Sequence, residues 1–276
     1  MAPTPVFALN HITSPGLHLA DFLRLAGQVG VDAVEIRNDL RGVEIGDGTP
    51  AAEVRRAAEA AGVEILSINA LQRFNEWGPA REREAAELAA YARDCGARAL
   101  VMCPVNSRED TRGAMQRVDD LRRSLAALTP ILGDHGILGF VEPLGFAESS
   151  LRLKRVAVEA IDAVGGGAVF RLVHDTFHHF LAGETELFPE RTGLVHISGV
   201  EDRSLPHDAI RDAHRVLVGP GDLTANVGQI EALLAGGYRG PFSFEPFAES
   251  VQTLRDQAGA LRASMAFVRQ GLAKAA

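Results

Sequence analysis

The sequence predicts a single-domain (β/α)₈ TIM barrel, an α/β fold, over residues 1–276. Three observations predict it. Eight short apolar runs recur along the chain, each nearly continuous in Val, Ile, Leu or Phe, as expected of strands buried on both faces of a parallel sheet. Longer, charge-studded amphipathic segments alternate with them. The length, 276 residues, lies in the range of roughly 250 that such barrels occupy as one domain. The other fold with this alternation, an open doubly wound sheet, normally carries a Gly-rich nucleotide loop after its first strand. Here that strand runs into Asn10-His11-Ile12-Thr13.

The strands are expected at Val6–Asn10, Ala33–Arg37, Ile65–Asn69, Ala99–Cys103, Leu138–Glu142, Phe170–His174, Leu194–Ser198 and Phe242–Glu245. Between them, Leu19–Val29 is stopped by Gly30, Ala51–Ala61 by Gly62 and Ala80–Cys95 by Gly96. Glycine just past a helix supplies the left-handed residue that ends it. Arg112–Leu132 and Arg152–Val164 continue the series, the second ending at Gly165-Gly166-Gly167. After the sixth strand the helical signal is short, at Phe177–Leu181. Leu223–Ala235 ends at Gly236-Gly237, and Val251–Leu272 closes the chain. No linker, low-complexity tract or repeat divides it.

Composition narrows the function. The formal net charge is −8, which repels a phosphate backbone and argues against a nucleic-acid partner. Cys95 and Cys103 are too few for a disulfide framework, so a reducing cytoplasm is expected. Met1-Ala2-Pro3-Thr4-Pro5 shows no basic, then apolar, leader pattern, and no apolar run is long enough to span a membrane. Helix faces can support a homo-oligomer, although no feature demands one.

Each of the last four strands brings one metal-capable group to its C-terminal end, the rim where barrels carry their active sites. Glu142 ends the fifth, Asp175 follows the sixth, His196 lies within the seventh and Glu245 ends the eighth. Taken singly, each has an ordinary reading. A strand-end Glu can be solvated, Asp175 can cap a helix, and His196 can be a core histidine. Four in succession on one rim point to a site. Three crowded carboxylates repel one another unless a cation neutralises them. Three carboxylates with one imidazole suit one divalent ion, Mn²⁺, Mg²⁺ or Co²⁺, with Zn²⁺ also acceptable.

Other polar residues gather nearby. His178 stands one helical turn after Asp175, so both can face one pocket. By alternation His174 points away and is structural, and His179 is expected to be exposed. Arg37 and Asn69 end the second and third strands; either can bind substrate oxygens or satisfy loop carbonyls. Arg215, before Gly219-Pro220-Gly221, is a substrate clamp or an exposed loop residue. Phe74, Trp77 and Phe7 form an apolar wall for a ring, or pack.

These residues carry a resemblance over essentially the whole chain. Ala33-Val34-Glu35-Ile36-Arg37, Ser67-Ile68-Asn69-Ala70-Leu71 with Phe74-Asn75, and Phe140-Val141-Glu142-Pro143 resemble the xylose-isomerase-like superfamily of sugar isomerases and epimerases. So do His174-Asp175-Thr176-Phe177-His178, Val195-His196-Ile197, Arg215 with Gly219-Pro220-Gly221, and Ser243-Phe244-Glu245-Pro246-Phe247. Within the superfamily the likeness is greatest to its inosose (2-keto-myo-inositol) isomerases. The resemblance implies that Glu142, Asp175, His196 and Glu245 bind one divalent metal, that Glu142 and Glu245 shuttle a proton, and that His178 contacts substrate. It implies a small keto-sugar or keto-inositol substrate, a proton moved beside its carbonyl through an enediolate, and a place in inositol catabolism. Isomerases, epimerases and dehydratases share the metal quartet, so a lyase acting on a keto-inositol or a dehydroshikimate-like ring is the alternative. Apurinic-site endonucleases share the barrel but need further His ligands after strands three and four, where this chain has Asn69 and Cys103-Pro104. A non-catalytic sugar-binding barrel has no need of three converging carboxylates.

Overall fold

The computed structural model describes residues 4–40 and 44–275. Met1, Ala2 and Pro3, part of the stretch read for a leader, lie outside the described residues. Eight parallel strands close into a barrel in chain order: β1 (Phe7–Asn10), β2 (Ala33–Arg37), β3 (Glu64–Gln72), β4 (Ala99–Cys103), β5 (Leu138–Val141), β6 (Phe170–Asp175), β7 (Thr192–Ile197) and β8 (Phe242–Phe244). Closure is made by β8 on β1, with Phe7 opposite Phe242 and Leu9 opposite Phe244. The helices are α1 (Leu19–Val29), α2 (Glu44–Asp47), α3 (Ala51–Ala61), α4 (Pro79–Cys95), α5 (Ala114–His135), α6 (Lys154–Ala163), α7 (Thr176–Ala182), α8 (Asn226–Ala235), α9 (Glu249–Gln252) and α10 (Gln257–Ala275). Among the described residues no helix is long and apolar enough to cross a membrane.

Alternation along each strand divides the core. Val34 and Ile36 face outward into the large apolar layer beneath the helices. Ala33 belongs to a smaller cluster with Ala8, Leu66, Val101, Phe140 and Leu194, which fills the barrel's interior. The period of two therefore carries Ala33, Glu35 and Arg37 up the inside of the barrel. Strand three is longer than expected, and it slips register against β2: Val34 pairs with Ile65, but Glu35 pairs with Ser67.

Three helical expectations are corrected. The closing helix, expected unbroken over Val251–Leu272, is split into α9 and α10. Asp256 interrupts it, its Oδ1 accepting the Gly259 N–H at 2.8 Å and so starting α10 afresh. The helix between β7 and β8 begins at Asn226 rather than Leu223. Asp222 holds the preceding residues in a turn, accepting the N–H of Thr224 at 3.0 Å and of Asn226 at 2.9 Å. The short α2 was not expected.

Candidate metal centre and substrate cavity

Glu142, Asp175, His196 and Glu245 converge as expected. All four are buried, and one ligand atom from each can be chosen so that all lie within 4.8 Å of one another. The strands explain the convergence. Asp175 and His196 are register partners across β6 and β7, and Glu142 and Glu245 follow directly on β5 and β8. Asp175 fulfils both of its readings. Its Oδ1 caps α7, accepting from the Phe177 and His178 N–H groups at 2.7 and 3.1 Å, while its Oδ2 turns toward the other ligands.

His196 sits at the centre. Its Nδ1 is 2.9 Å from Glu142 Oε1, 3.1 Å from Glu245 Oε2 and 3.8 Å from Asp175 Oδ2. Its Nε2 faces Glu35, at 3.1 and 3.2 Å from the two oxygens. Burial alone would lower the imidazole's pKa, but Glu245, Glu35 and Glu142 outweigh it and raise that pKa well above the ordinary value. The same attraction works in reverse. Burial would raise the pKa of Glu35 and of Glu245, yet His196 holds both carboxylates well below the usual range, helped at Glu245 by Arg215 and Arg37.

The donor set fits one divalent cation. Two ligands each roughly 2.0–2.4 Å from a shared ion can stand at most about 4.8 Å apart, the span found here. Charge agrees. Glu35, Glu142, Asp175 and Glu245 are buried with two guanidinium groups, Arg37 and Arg215. Carboxylates outnumber guanidinium groups there, and Arg37 is itself shared with Asp39, so the centre favours a cation.

Above the ligands opens a cavity of about 350 Å³, bordered by Arg37, Asn69, Glu142, His178, Arg215 and Glu245 among others. Asn69 is 2% exposed and its Nδ2 has no hydrogen-bond partner. It is thus a buried donor left over at the cavity wall. His178 accepts the Gly145 N–H at its Nδ1, 3.2 Å away, so a neutral ring carries its proton on Nε2. Gly145 cannot be larger, because a Cβ there would overlap the His178 carbonyl oxygen.

Arg37 and Arg215, read as substrate contacts, both border the cavity and also pair with protein acceptors. Arg215 Nη2 lies 2.6 Å from Asp175 Oδ2 and 2.9 Å from Glu245 Oε2, and its Nε donates to Ser198 at 2.9 Å. Arg37 pairs with both oxygens of Asp39 at 2.7 Å and reaches Glu245 Oε1 at 3.2 Å. They hold ligands in place. The expected aromatic wall is not found. Phe74 is fully buried in the main core and Trp77 packs half-buried against it. Phe7 packs against Phe244 in the outer apolar layer, with ring centroids 5.4 Å apart and planes tilted by 45°. The cavity's aromatic borders include Phe146 and Phe247 instead. His174 is structural, as expected, bonding Gln229 at 2.8 Å. His179 is half-buried rather than exposed, because Lys154 Nζ donates to its Nδ1 at 2.7 Å.

Two functional residues were missed, Asn10 and Glu35. Asn10 Nδ2 bridges Glu35 and Glu245 at 3.3 and 3.1 Å. The signal for Asn10 was its place at the end of β1, the rule that found the ligands. For Glu35 it was a carboxylate inside an apolar strand, which demands a buried partner.

The comparisons with known proteins follow the geometry. Residues 23–271 match the family described as xylose isomerase-like TIM barrel. The chain is 32% identical to a xylose isomerase domain containing protein from Salmonella typhimurium LT2, covering 99% of this chain and 98% of that one, with a TM-score of 0.84. The IolI protein, solved with a binding zinc atom, is 20% identical over 97% of this chain and 98% of its own, with a TM-score of 0.84. D-Psicose 3-epimerase from Clostridium cellulolyticum H10, solved with D-tagatose, is 14% identical over 96% and 99%, with a TM-score of 0.75. At those identities the last two show the shared fold. No curated protein sequence matches the chain.

Proposed function

We propose that this chain, which belongs to the xylose isomerase-like TIM barrel family, is a divalent-metal-dependent isomerase or epimerase. Its reaction moves a proton beside the carbonyl of a small keto-sugar or keto-inositol, through an enediolate. The observation that carries this reading is the convergence of three buried carboxylates and His196 Nδ1 beside a polar cavity that Glu142 and Glu245 border. The ion fits as Mn²⁺, Mg²⁺, Co²⁺ or Zn²⁺; when bound it supplies Lewis-acid polarisation of the carbonyl oxygen.

The chain's own residues do the rest. Glu142 and Glu245 both border the cavity and come from strands on different sides of it, so one can take the proton and the other return it. Each is held for that work. Cys103 Sγ donates to Glu142 Oε2 at 3.3 Å, and Arg37, Arg215 and Asn10 donate to Glu245. The thiol stays protonated, because burial and then Glu142 push its pKa well above the ordinary value. A carboxylate is a weak base for a carbon acid in water. These two are only 3–4% exposed, and a bound ion would narrow the gap by making the C–H beside the carbonyl more acidic. Asn69 Nδ2 and His178 supply donors for substrate oxygens.

One observation favours a second reading, a dehydratase. His178 borders the cavity, where its ring can hydrogen-bond a departing hydroxyl. Product analysis separates the two, since dehydration of a keto-inositol creates an absorbing enone. A reducing cytoplasmic setting is supported by the two buried free thiols, Cys95 and Cys103.

The deciding experiment is metal analysis of the purified protein beside Glu142→Gln and Glu245→Gln, with 2-keto-myo-inositol incubated in heavy water. One ion per chain, deuterium entering next to the carbonyl, and turnover reduced roughly 10²–10⁴-fold in both variants are expected. Full activity in both variants would remove the proton-transfer assignment. Metal without exchange would reject the substrate.

A further inference from the structure

Glu35 is fully buried and does not border the cavity, so it touches neither the proposed substrate nor the rim. An ionised carboxylate in such a place is costly unless every oxygen is satisfied. Here four strands satisfy it. Ser243 Oγ on β8 and Asn10 Nδ2 on β1 donate to Oε1 at 2.5 and 3.3 Å. Ser67 Oγ on β3 donates to Oε2 at 2.7 Å, and His196 Nε2 on β7 reaches both oxygens. The register slip between β2 and β3 makes this possible, by setting Glu35 rather than its neighbour opposite Ser67.

We infer that Glu35 is the positioning residue of the metal centre: it fixes the His196 ring so that Nδ1, and not Nε2, is the ligating nitrogen. An ionised carboxylate only accepts hydrogen bonds, so Nε2 must carry the proton that points at it. When an ion takes the place of the proton on Nδ1, the ring keeps its Nε2–H on Glu35, and Nδ1 is the atom that faces Glu142, Glu245 and Asp175. Outer carboxylates that orient ligating imidazoles act in this way elsewhere, and their loss weakens metal binding. An amide in place of Glu35 can turn its N–H toward Nε2, which moves the ring proton to Nδ1 and blocks the ligand atom. The inference rests on the metal reading above.

The test compares wild type with Glu35→Gln, using Zn²⁺ alone as the probe. Affinity is measured by competition with a chelator. The zinc-loaded proteins are then examined for the imidazole N–H of His196 by ¹H–¹⁵N NMR. Wild type is expected to show one exchange-protected Nε2–H resonance. Glu35→Gln is expected to bind Zn²⁺ about 10–100-fold more weakly and to lose that resonance. Should Glu35→Gln not fold, the Ser67→Ala/Ser243→Ala double variant leaves Glu35 present but loosened, with a smaller loss of affinity and faster exchange at Nε2–H expected. Unchanged affinity and an unchanged resonance overturn the inference while leaving the metal site standing. Wild type that takes up no ion at all overturns the site reading, and the inference with it.

Discussion

Asp175 Oδ2 accepts from Arg215 Nη2 across 2.6 Å, while the other oxygen of the same carboxylate caps α7. Arg215 is therefore a buried tie between β6 and β8, since the same nitrogen also reaches Glu245. Replacing it by Met removes a charged donor from two buried carboxylates. The metal-free protein should lose roughly 3–5 kcal/mol, read from denaturant midpoints in chelator, and a divalent ion should recover part of the loss. An unmoved midpoint would show that the tie adds nothing.

Metal uptake should release protons. In the ion-free protein the surrounding carboxylates raise the pKa of His196 well above its usual value, so at neutral pH the ring is protonated on both nitrogens. Ligation through Nδ1 requires the loss of one. About one proton should leave per ion at pH 7, and affinity should rise with pH. Calorimetry in buffers of different ionisation enthalpy checks this; a heat independent of buffer would contradict it.

Asn69 predicts a split between binding and stability. Its Nδ2 has no partner in the ion-free protein, so Asn69→Ala removes little that the fold uses at that atom. If Asn69 Nδ2 bonds a substrate oxygen, its loss in Asn69→Ala should raise KM about tenfold, in line with a net ~1.5 kcal/mol hydrogen bond, with little change in unfolding. Equal KM values would take Asn69 out of the substrate shell.

Gly145→Ala should act on His178 from behind. The new methyl group must push the His178 carbonyl away, at a cost of roughly 1–3 kcal/mol, and it disturbs the N–H that fixes the His178 ring. Thermal unfolding reads the first effect. Kinetics on whichever substrate proves correct read the second, as a fall in kcat/KM.

Much of this was legible in the sequence, and particular residues show why. The apolar runs place the strands, strand ends mark the rim, and so Glu142, Asp175, His196 and Glu245 follow from position and chemistry alone. Glu35 and Asn10 do not, because their roles depend on which residues face each other across neighbouring strands. The slip at Val34/Glu35 has no local signature. Phe74 was misread because its N–H donates to Cys103 O at 3.1 Å, which tucks the ring beside β4 instead of over the mouth. Arg37 and Arg215 were placed correctly at the cavity, but their pairing with Asp39, Asp175 and Glu245 was not foreseen, because nothing in a sequence shows which acceptors a guanidinium meets.

The closure of β8 on β1 has a consequence for assembly. Glu245 is the last ligand to be synthesised, yet Asn10, near the start of the chain, is one of the donors that hold it. The binding pocket therefore does not exist in any partial chain that lacks the final strand. On the metal reading proposed above, ion capture would report ring completion: a nascent or C-terminally truncated barrel would expose its acidic rim unneutralised, and only the finished ring would gain the mass-action stabilisation that a bound ion confers.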